Sequence, residues 1–581
     1  MSALQILQEA LASAFASPIK TAFTVVALLG AYLILSIVNV YRRAYHKYAC
    51  LQDMPGRPQW PIIGSIINIP LDPLKREESF NKLAREYGHH GVLQFWNGPI
   101  PGVEVLAPDT IRAVLSAARE HHAKGYFYRL LEPWLGGGLL LLDGDEYRIH
   151  RQWISRSFHV DFLRTSFLEV MLEKTDLLVE RITKHIKDSG EPFDAFQWLS
   201  ETSMNIICQT SMGLNLQTET ISSQAKYKEA LEFTKNMFYA RAFNVLMHSD
   251  TIFHYSKLGR EFRGHLATIR SFSNELIQKR RKLLEEGKVE VVLGSAFSMP
   301  SDLDSDAGAT GHGADNFGLA GPSSPRRRHR MTLLDSLLME QKRCADPATR
   351  DPGETPLTDE QLRVHVDTFI FAGHDTIATF AAWALYCAAK YPEATEPLLR
   401  ELDAFWQELG SSDPDGTGTG RSPTMAELNE LRELDMFIKE VMRLYPSAPQ
   451  ISRIISRDIE LRGHHVPAGT SCNIQVWALH RNPTYWPNPL KFDPTRFSPE
   501  NSAGRDPFAF IPFSAGVRSC VGRKFAELEQ RVLVARLLHQ FRFKMAPGRE
   551  HVVGQPRLAL SPIGGIHVLA FPREPGSPAV Q

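Results

Sequence analysis

A single cysteine near the C-terminus, Cys520, constrains this chain more than any other residue. It lies in the segment 513–522, FSAGVRSCVG, whose two glycines allow the backbone to turn tightly and to approach a flat partner closely. The next segment, 523–533, has apolar residues at helical spacing and predicts a helix that begins just after the cysteine. The helix dipole and the neighbouring Arg518 and Arg523 are expected to favour the thiolate form. A thiolate held in this way can ligate heme iron.

Two other roles were open to this cysteine, a buried apolar thiol and a zinc ligand. A zinc site needs several cysteine or histidine ligands at short spacing. Cys520 is the only residue of either type between His480 and His539, so a zinc site does not fit. The buried-thiol interpretation does not account for the glycines and arginines around the cysteine.

The loop resembles the heme-ligand signature of the cytochrome P450 superfamily, Phe-x-x-Gly-x-Arg-x-Cys-x-Gly. It matches at Phe513, Gly516, Arg518, Cys520 and Gly522. The resemblance implies a mainly α fold with small β-sheets, formed by one large heme-thiolate domain over residues 65–575. It also implies heme b ligated by the Cys520 thiolate, and a monooxygenase that inserts one oxygen atom from O2 into a C–H bond of a hydrophobic substrate.

Composition excludes some classes of function. The chain has 581 residues with 65 Lys+Arg and 65 Asp+Glu, so no overall field favours nucleic acid as a partner. Six cysteines are scattered singly along the chain. They form no disulfide framework, which suits a reducing, cytosol-facing domain.

The N-terminal region predicts a membrane anchor. Residues 21–41, TAFTVVALLGAYLILSIVNVY, carry no charge and are long enough to cross a bilayer as one helix. Basic residues are more numerous after this stretch than before it, which predicts a translocated N-terminus at 1–20 and a catalytic domain facing the cytosol. A cleaved signal peptide fits less well, because the apolar run is too long. Behind a basic, Pro/Gly-rich linker at 42–64, the expected protein is a single-pass component of the endoplasmic reticulum membrane.

The body of the chain has a mainly helical pattern over 74–410, and a small hairpin is predicted around 459–466. The segment 295–324 is rich in Gly, Ser, Ala and Asp, and it predicts a disordered insert. A second break, the loop at 410–423, contains a glycine repeat that follows no strand and opens no helix. We therefore reject that repeat as a nucleotide-binding motif.

A helical Glu-x-x-Arg motif occurs upstream of the cysteine loop. Glu440 and Arg443 are three residues apart and can pair on one helix face. In the superfamily this pair joins the arginine of a later Pro-x-Arg-Phe motif, here Arg496, in a buried network that holds the cysteine loop. Removal of one member is expected to leave an uncompensated buried charge.

A second motif, Gly373-His374-Asp375-Thr376, interrupts the apolar stretch 364–391. It can be a helix kink in which the threonine bonds back to the preceding turn. The resemblance instead implies the oxygen-binding groove, where Asp375 and Thr376 act as the catalytic residues that deliver protons to bound dioxygen. His374 is expected to face away and pack.

Four residues form the set expected to bind the heme propionates. The superfamily usually has Trp-x-x-x-Arg where this chain has Tyr147 and Arg151, and a tyrosine still offers a hydroxyl donor. Arg453 and Arg518 complete the cofactor-binding set implied by the resemblance, since guanidinium groups bind carboxylates well.

The resemblance is closest to the microsomal fatty-acid ω-hydroxylase branch. The segments that carry it are 134–140, 372–376, 478–483 and 508–516. It implies ω- or near-terminal hydroxylation of a long-chain fatty acid or related lipid, with selectivity set by a narrow channel that presents only the chain end. From their position in the chain, Phe127, Tyr128, Leu131 and Trp134 are expected near the substrate.

The chain departs from this branch at Ala372, where many members carry a glutamate that forms an ester to the heme. An alanine cannot form that ester, so we expect non-covalent heme. The lost ester is also expected to loosen the geometry that favours the terminal carbon.

Three functions stay open at this point. The first is a lipid monooxygenase, the second a monooxygenase of a terpenoid, steroid or xenobiotic, and the third a non-catalytic heme-thiolate sensor or binding protein. Asp375 and Thr376 argue against the third, since a sensor needs no dioxygen activation. The resemblance implies that electrons come from a membrane NADPH–cytochrome P450 reductase, which is expected to dock near Arg518, Arg523 and Lys524.

Overall fold

The structure is a computed structural model that describes residues 18–60, 64–65, 68–70, 72–98, 100–116, 123–217, 224–292, 327–350, 356–411 and 421–573. The expected disordered insert at 295–324 lies outside the described residues. So do most of the predicted loop at 410–423 and the N-terminal segment before Pro18.

Helices make up most of the described chain. In order they are α1 (Pro18–Lys47), α2 (Pro73–Tyr87), α3 (Pro108–Leu115), α4 (Glu132–Leu135), α5 (Gly144–Arg156), α6 (Val160–Phe162), α7 (Leu168–Asp188), α8 (Ala195–Ser211), α9 (Gln224–Ala242), α10 (Asp250–Tyr255), α11 (Lys257–Glu285), α12 (Leu333–Ala345), α13 (Asp359–Lys390), α14 (Pro392–Ser411), α15 (Met425–Glu430), α16 (Arg432–Leu444), α17 (Val476–Leu479), α18 (Pro499–Ser502) and α19 (Arg523–Gln540). Short 3-10 turns occur at Ala49–Asp53, Tyr126–Leu131, Val245–His248, Pro494–Phe497, Pro507–Ala509 and Gly516–Arg518, and a π-helical turn at Leu163–Phe167.

The strands are short. They are β1 (Val92–Asn97), β2 (Ile100–Val105), β3 (Phe193–Asp194), β4 (Val289–Val292), β5 (Arg327–Arg330), β6 (Ile451–Ile454), β7 (Ile459–Leu461), β8 (His464–Val466), β9 (Ser471–Ile474), β10 (Phe541–Met545), β11 (Gly554–Pro556), β12 (Leu560–Pro562) and β13 (His567–Pro572). The largest sheet has the order β1-β2-β9-β6, with β2 and β9 parallel and the other pairs antiparallel.

Helix α13 forms the centre of the core. It spans 32 residues and begins at Thr358, whose hydroxyl and the Gln361 side chain form a reciprocal capping box. Almost all of its residues between 362 and 388 are buried, and it packs against α8, α11 and α19. An apolar helix of this length, covered on every side, is the element around which the other helices are arranged.

The predicted hairpin near residue 460 is present. Strands β7 and β8 pair antiparallel through Arg462 and Gly463, both with positive φ, 50° and 81°. Positive φ at both central residues matches the right-handed twist of a two-residue hairpin. The prediction of a mainly helical fold with small sheets is confirmed.

The N-terminal helix α1 covers the stretch predicted to span a membrane. Several of its large apolar side chains are exposed, among them Phe23, Leu29 and Leu35. In the described part of the chain, however, no helix combines the length and the apolar character that a membrane span needs. The transmembrane anchor predicted over 21–41 is therefore not confirmed.

Candidate active site

The cysteine loop is held in a strained, hydrogen-bonded turn before α19. The Cys520 N–H donates to the Phe513 carbonyl at 3.0 Å, and the Cys520 side chain is exposed. Gly516 has φ +70°, and a Cβ at this position would lie 2.1 Å from the Leu115 carbonyl oxygen. Ser514 is also left-handed, with φ 63°, an uncommon conformation for a residue other than glycine. Only glycine fits at position 516, for two reasons. Its positive φ disfavours other residues, and its backbone approaches the Leu115 carbonyl too closely to leave room for a Cβ.

The Gly522 N–H and the charges of Arg151 and Arg523 favour the Cys520 thiolate, as predicted, whereas the surrounding protein opposes it by reducing solvation even though Cys520 is accessible. Loss of solvation raises the pKa of the Cys520 thiol, and this effect outweighs the Gly522 N–H and the charges of Arg151 and Arg523. Arg523 also forms an ion pair with Glu527. A coordinating metal cation deprotonates a thiol outright, so ligation of iron does not depend on a low thiol pKa.

Two residues of α5 hold the cysteine loop from the side. The Tyr147 hydroxyl donates to the Val517 carbonyl at 2.9 Å, and Arg151 Nη1 donates to the Ser519 carbonyl at 2.9 Å. Arg518 donates to the Leu142 carbonyl at 2.7 Å, and its guanidinium lies 3.8 Å from the centre of the Tyr147 ring. The structure therefore brings three members of the predicted propionate set together around the cysteine.

A fourth cation, Lys124, completes a cluster that sequence reasoning missed. Burial, followed by the charges of Arg453 and Arg518, lowers the pKa of Lys124 well below its usual range, and burial also lowers the pKa of Arg453. One carboxylate, Asp143, acts on Arg518, so the positive charges of Lys124, Arg151, Arg453 and Arg518 are only partly balanced. An excess of positive charge fits a dianionic partner such as the two propionates of heme. Nothing in the local sequence of Lys124 signals this role.

The predicted ion network behind the cysteine loop is present. Arg443 donates to both carboxylate oxygens of Glu440, at 2.7 and 2.8 Å, and both side chains are completely buried. Arg496 lies 3.5 Å from the same carboxylate, and the Asp493 N–H donates to it at 2.8 Å. A buried carboxylate with this many donors is fully paired, as stability requires.

One histidine connects this network to the cysteine loop. Arg443 Nη1 donates to the His480 carbonyl at 2.9 Å, and His480 Nε2 accepts from the Ile511 N–H at 3.0 Å. The Ile511 carbonyl in turn accepts from the Ser514 N–H at 3.0 Å. Burial lowers the pKa of His480 to about 3, which keeps the imidazole neutral and its Nε2 free to accept. The sequence indicated the segment 478–483 only through family resemblance.

The middle of α13 is the second part of the site. The Thr376 hydroxyl donates to the Ala372 carbonyl at 2.7 Å, and the Thr376 carbonyl accepts from Ser447 Oγ at 2.9 Å. Ala372 is exposed and Thr376 partly so, although their neighbours on this helix are buried. His374 is buried with Nδ1 3.0 Å from the Ile370 carbonyl, so it packs as predicted. Residues 372 and 376 are therefore the accessible part of an otherwise buried stretch of α13, and we call this part the open position of the helix.

The neighbouring carboxylate, Asp375, forms an ion pair with Lys235, a residue that no sequence motif indicated. Lys235 Nζ of α9 lies 2.5 Å from Asp375 Oδ1, with only 3% and 2% of the two side chains exposed. Burial opposes the charged form of Lys235, but the Asp375 and Glu232 carboxylates outweigh it and raise the pKa of Lys235. The two residues are 140 positions apart and belong to no common motif.

The segment predicted to lie near the substrate packs against α13. The ring of Trp134 lies 4.9 Å from that of Phe371, next to Ala372. Leu131 and Trp134 also line a small space of about 10 Å³ with residues of α9, α10 and α11, among them Met237 and Phe262. The contact between Trp134 and Phe371 places an apolar side chain next to Ala372 of α13.

Comparisons with known proteins agree with this geometry. The cytochrome P450 family model matches residues 54–568. The chain belongs to the cytochrome P450 family. It is 32% identical to cytochrome P450 4V2 of Pongo abelii, over 96% of this chain and 97% of that protein, and 31% identical to cytochrome P450 4V2 of Homo sapiens, over 94% and 95%. It is 30% identical to cytochrome P450 4F4 of Rattus norvegicus, over 94% and 95%.

Among solved structures, the crystal structure of the cytochrome P450DA heme domain shares the fold of this P450. The TM-score is 0.67 at 19% identity, over 90% of this chain and 98% of that one. The protein is thus a heme-thiolate monooxygenase that uses heme b with cysteine ligation, and it depends on an electron-transfer reductase and acts on hydrophobic substrates. Membership of this enzyme family does not support the alternative of a non-catalytic sensor.

Proposed function

We propose that this P450 hydroxylates the terminal or a near-terminal carbon of a long-chain fatty acid or related lipid. The structural observation that carries the proposal is the packing of Trp134 against Phe371, one residue from the exposed Ala372 of α13. The Trp134 ring places an apolar surface next to this exposed position. An apolar surface there can direct the end of an extended hydrocarbon chain, so that positioning rather than C–H reactivity selects the carbon.

The resemblance of four segments to fatty-acid hydroxylases is the second support, and the structure shows why two of them belong together. Gly138 lies so close to α13 that a Cβ there would be 2.4 Å from Thr368 Oγ1. The segment 134–140 therefore packs directly on the helix that contains 372–376. A bulkier residue at 138 would push this segment away from α13.

We assign the residue roles as follows. When bound, the heme supplies the iron at which O2 is activated with electrons from the reductase. Cys520 would ligate the iron, and Tyr147, Arg151, Arg453 and Arg518 would hold the propionates, with Lys124 added to this set. Asp375 and Thr376 would hold and pass the protons that O–O cleavage requires. Because Thr376 is hydrogen-bonded to a main-chain carbonyl, it is positioned before substrate arrives.

We also propose that the enzyme works at the cytosolic face of the endoplasmic reticulum membrane. The support is α1, whose apolar side chains, including Phe23, Leu29 and Leu35, are exposed. An apolar surface of this kind is stable when it is covered by lipid or protein. Cell fractionation of the full chain and of a variant lacking residues 1–47 tests this point. Equal release of both into the soluble fraction would refute it.

The proposed electron donor is NADPH–cytochrome P450 reductase. Arg523 and Lys524 are exposed at the start of α19 and can contribute to a docking surface. Arg518 cannot, because it is buried against Tyr147 and donates inward. The expected docking site is therefore narrower than the sequence suggested.

The deciding experiment is reconstitution of the heme-loaded protein with this reductase and a panel of fatty acids, fatty alcohols and fatty amides. Mass spectrometry then locates the new hydroxyl. Mainly terminal or near-terminal hydroxylation supports the proposal. Absence of any hydroxylated lipid, with heme reduction intact, refutes it and favours a terpenoid, steroid or xenobiotic substrate.

A further inference from the structure

A second cavity lies on the four-stranded sheet, away from the cysteine loop and α13. Its volume is about 80 Å³, and its walls include residues of β1, β2 and β9, Gln475 directly after β9, and Phe127 of the 3-10 turn Tyr126–Leu131. Part of the lining is aromatic, from Phe80, Phe95 and Phe127. The remaining part is polar, which is unusual for a space inside a folded core.

The polar wall carries side-chain atoms without partners. Asn97, Asn473 and Gln475 line the cavity and are 3%, 3% and 1% exposed. Within the described residues, both amide atoms of Asn97 lack a hydrogen-bond partner, as do Oδ1 of Asn473 and Oε1 of Gln475. Each unsatisfied buried polar atom costs about 1–3 kcal/mol, so a purely structural core would place apolar residues here. The pattern indicates that something else completes these hydrogen bonds.

The charges in the wall compensate each other. Glu104 accepts from Gln475 Nε2 at 3.0 Å, and Arg57 is the cation whose charge acts on Glu104. Burial raises the pKa of Glu104 in spite of Arg57, which shows how poorly solvated this wall is. An additional carboxylate would lie in the same lining as the Glu104 carboxylate, where Arg57 supplies one positive charge for the two groups. A neutral group with both donors and acceptors fits better, since amides offer both.

The turn Tyr126–Leu131 relates the cavity to the region of the cysteine loop. Phe127 lines the cavity, and Tyr128 lies near Arg453 and Arg518. Leu131, at the end of the same turn, lines a small space together with Trp134, which contacts Phe371 of α13. One structural element therefore borders both the cavity and the side of the molecule that carries the cysteine loop.

We propose that the cavity binds the neutral polar end, a hydroxyl or amide, of the long-chain lipid whose other end is hydroxylated. The inference rests on the proposed lipid hydroxylation and adds the class of head group. Asn97 and Asn473 are the residues that determine this specificity. Asn97 can donate to and accept from the head group, whereas Asn473 accepts through Oδ1, and the cavity admits a group of a few atoms.

Equilibrium dialysis of the heme-loaded full chain tests the proposal with four ligands of one chain length: dodecanol, dodecanamide, dodecanoate and dodecane. We expect the alcohol and the amide to bind about tenfold more tightly than the carboxylate, because the ion must be desolvated beside Glu104. Asn97→Leu is expected to weaken dodecanol binding about fivefold, the effect of one neutral hydrogen bond, and to leave dodecane binding unchanged. The double variant, Asn97→Leu with Asn473→Leu, is expected to weaken dodecanol binding about 25-fold if the two residues act independently.

Two controls separate this role from a structural one. Asn97→Leu removes an unpaired buried amide and is expected to leave the melting temperature equal or raised. Gln209→Leu in α8 removes a similar unpaired amide, whose Oε1 has no partner in the described residues, away from the cavity, and it should leave all four affinities unchanged.

Each possible result of the dialysis experiment either supports the proposed head-group site or refutes it. Preference for dodecanoate, or unchanged dodecanol binding in Asn97→Leu, overturns the inference and leaves a cavity that holds only water. If such a result accompanies continued hydroxylation of lipids by the wild-type enzyme, the proposed function stands without it. If no lipid is bound or hydroxylated, the proposed function fails and this inference fails with it.

Discussion

The ion pair between Lys235 and Asp375 gives a sharp test, because two buried charges depend on each other. Lys235→Met keeps the length of the aliphatic chain and removes only the charge. At 2.5 Å and an effective dielectric constant of about 20, the attraction between the two groups is about 7 kcal/mol. Part of that attraction only offsets the desolvation of Lys235. Loss of one member of a buried pair is therefore expected to cost about 3–5 kcal/mol of unfolding free energy.

The assay is urea denaturation of the heme-loaded protein, with Lys228→Met as the matched control. Lys228 is on the same helix and pairs with Glu201 at 3.0 Å, but 48% and 36% of these side chains are exposed. Its loss is expected to cost about 0.5 kcal/mol. A second variant, Lys235→Met with Asp375→Leu, removes both charges and should recover most of the stability. If Lys235→Met costs no more than Lys228→Met, the structural role of the pair is refuted.

Three further predictions concern single positions of the site. In the presence of the reductase, Thr376→Ala should consume NADPH as the wild type does but form about tenfold less hydroxylated product per NADPH. The reason is that proton delivery to dioxygen is impaired. An unchanged ratio of product to NADPH would contradict this role of Thr376. Heme should be extracted completely by acidic solvent from the wild type, whereas Ala372→Glu should retain part of it covalently; retention in the wild type would be inconsistent with non-covalent heme. Gly516→Ala should cost about 3 kcal/mol of unfolding free energy and weaken heme retention, because its Cβ meets a main-chain oxygen at 2.1 Å. The control Gly504→Ala, with φ +75° and no atom within 4 Å of its Cβ, should cost about 1 kcal/mol; equal losses would show that the close contact has no effect.

A fourth prediction concerns pH. Burial raises the pKa of Asp367 to about 7, although Arg363 pairs with it and Ser273 donates to it. The folded chain then holds a proton between about pH 4 and pH 7 that the unfolded chain has lost, so this group's contribution to stability falls as pH rises through that range. Between pH 5 and pH 7, the free energy of unfolding of Asp367→Asn should decline by a few kcal/mol less than that of the wild type. Urea denaturation at the two pH values measures this difference. An equally steep decline in the variant would contradict the assignment.

Local patterns were sufficient for much of this protein. Ten consecutive residues are sufficient to predict the cysteine loop, and helical spacing is sufficient to predict the Glu440–Arg443 pair. Both features depend on residues that are close in the chain. The hairpin near residue 460 follows from short-range turn preferences. The mainly helical body follows from periodicity, and its confirmation shows that tertiary contacts do not override it.

Contacts across long sequence separations were not predictable. Lys235 meets Asp375 only because α9 packs near α13, and Lys124 joins three arginines from three other parts of the chain. The sequence indicated the charges that favour the Cys520 thiolate but not the loss of solvation that opposes it, because solvation of the sulfur depends on residues that are distant in the chain.

The His480 link has a consequence for the position of the cysteine loop. It joins a pair formed at Glu440 and Arg443 to a turn at Ser514, about seventy residues further along the chain, through a single neutral imidazole. Closing a loop of that length costs entropy that local contacts within the cysteine loop cannot offset. The turn that presents Cys520 is therefore held in part by contacts with α16 that are distant in sequence, and not by its own residues alone. A substitution that displaces α16 is expected to disturb the position of Cys520 even though it lies about seventy residues away in the chain.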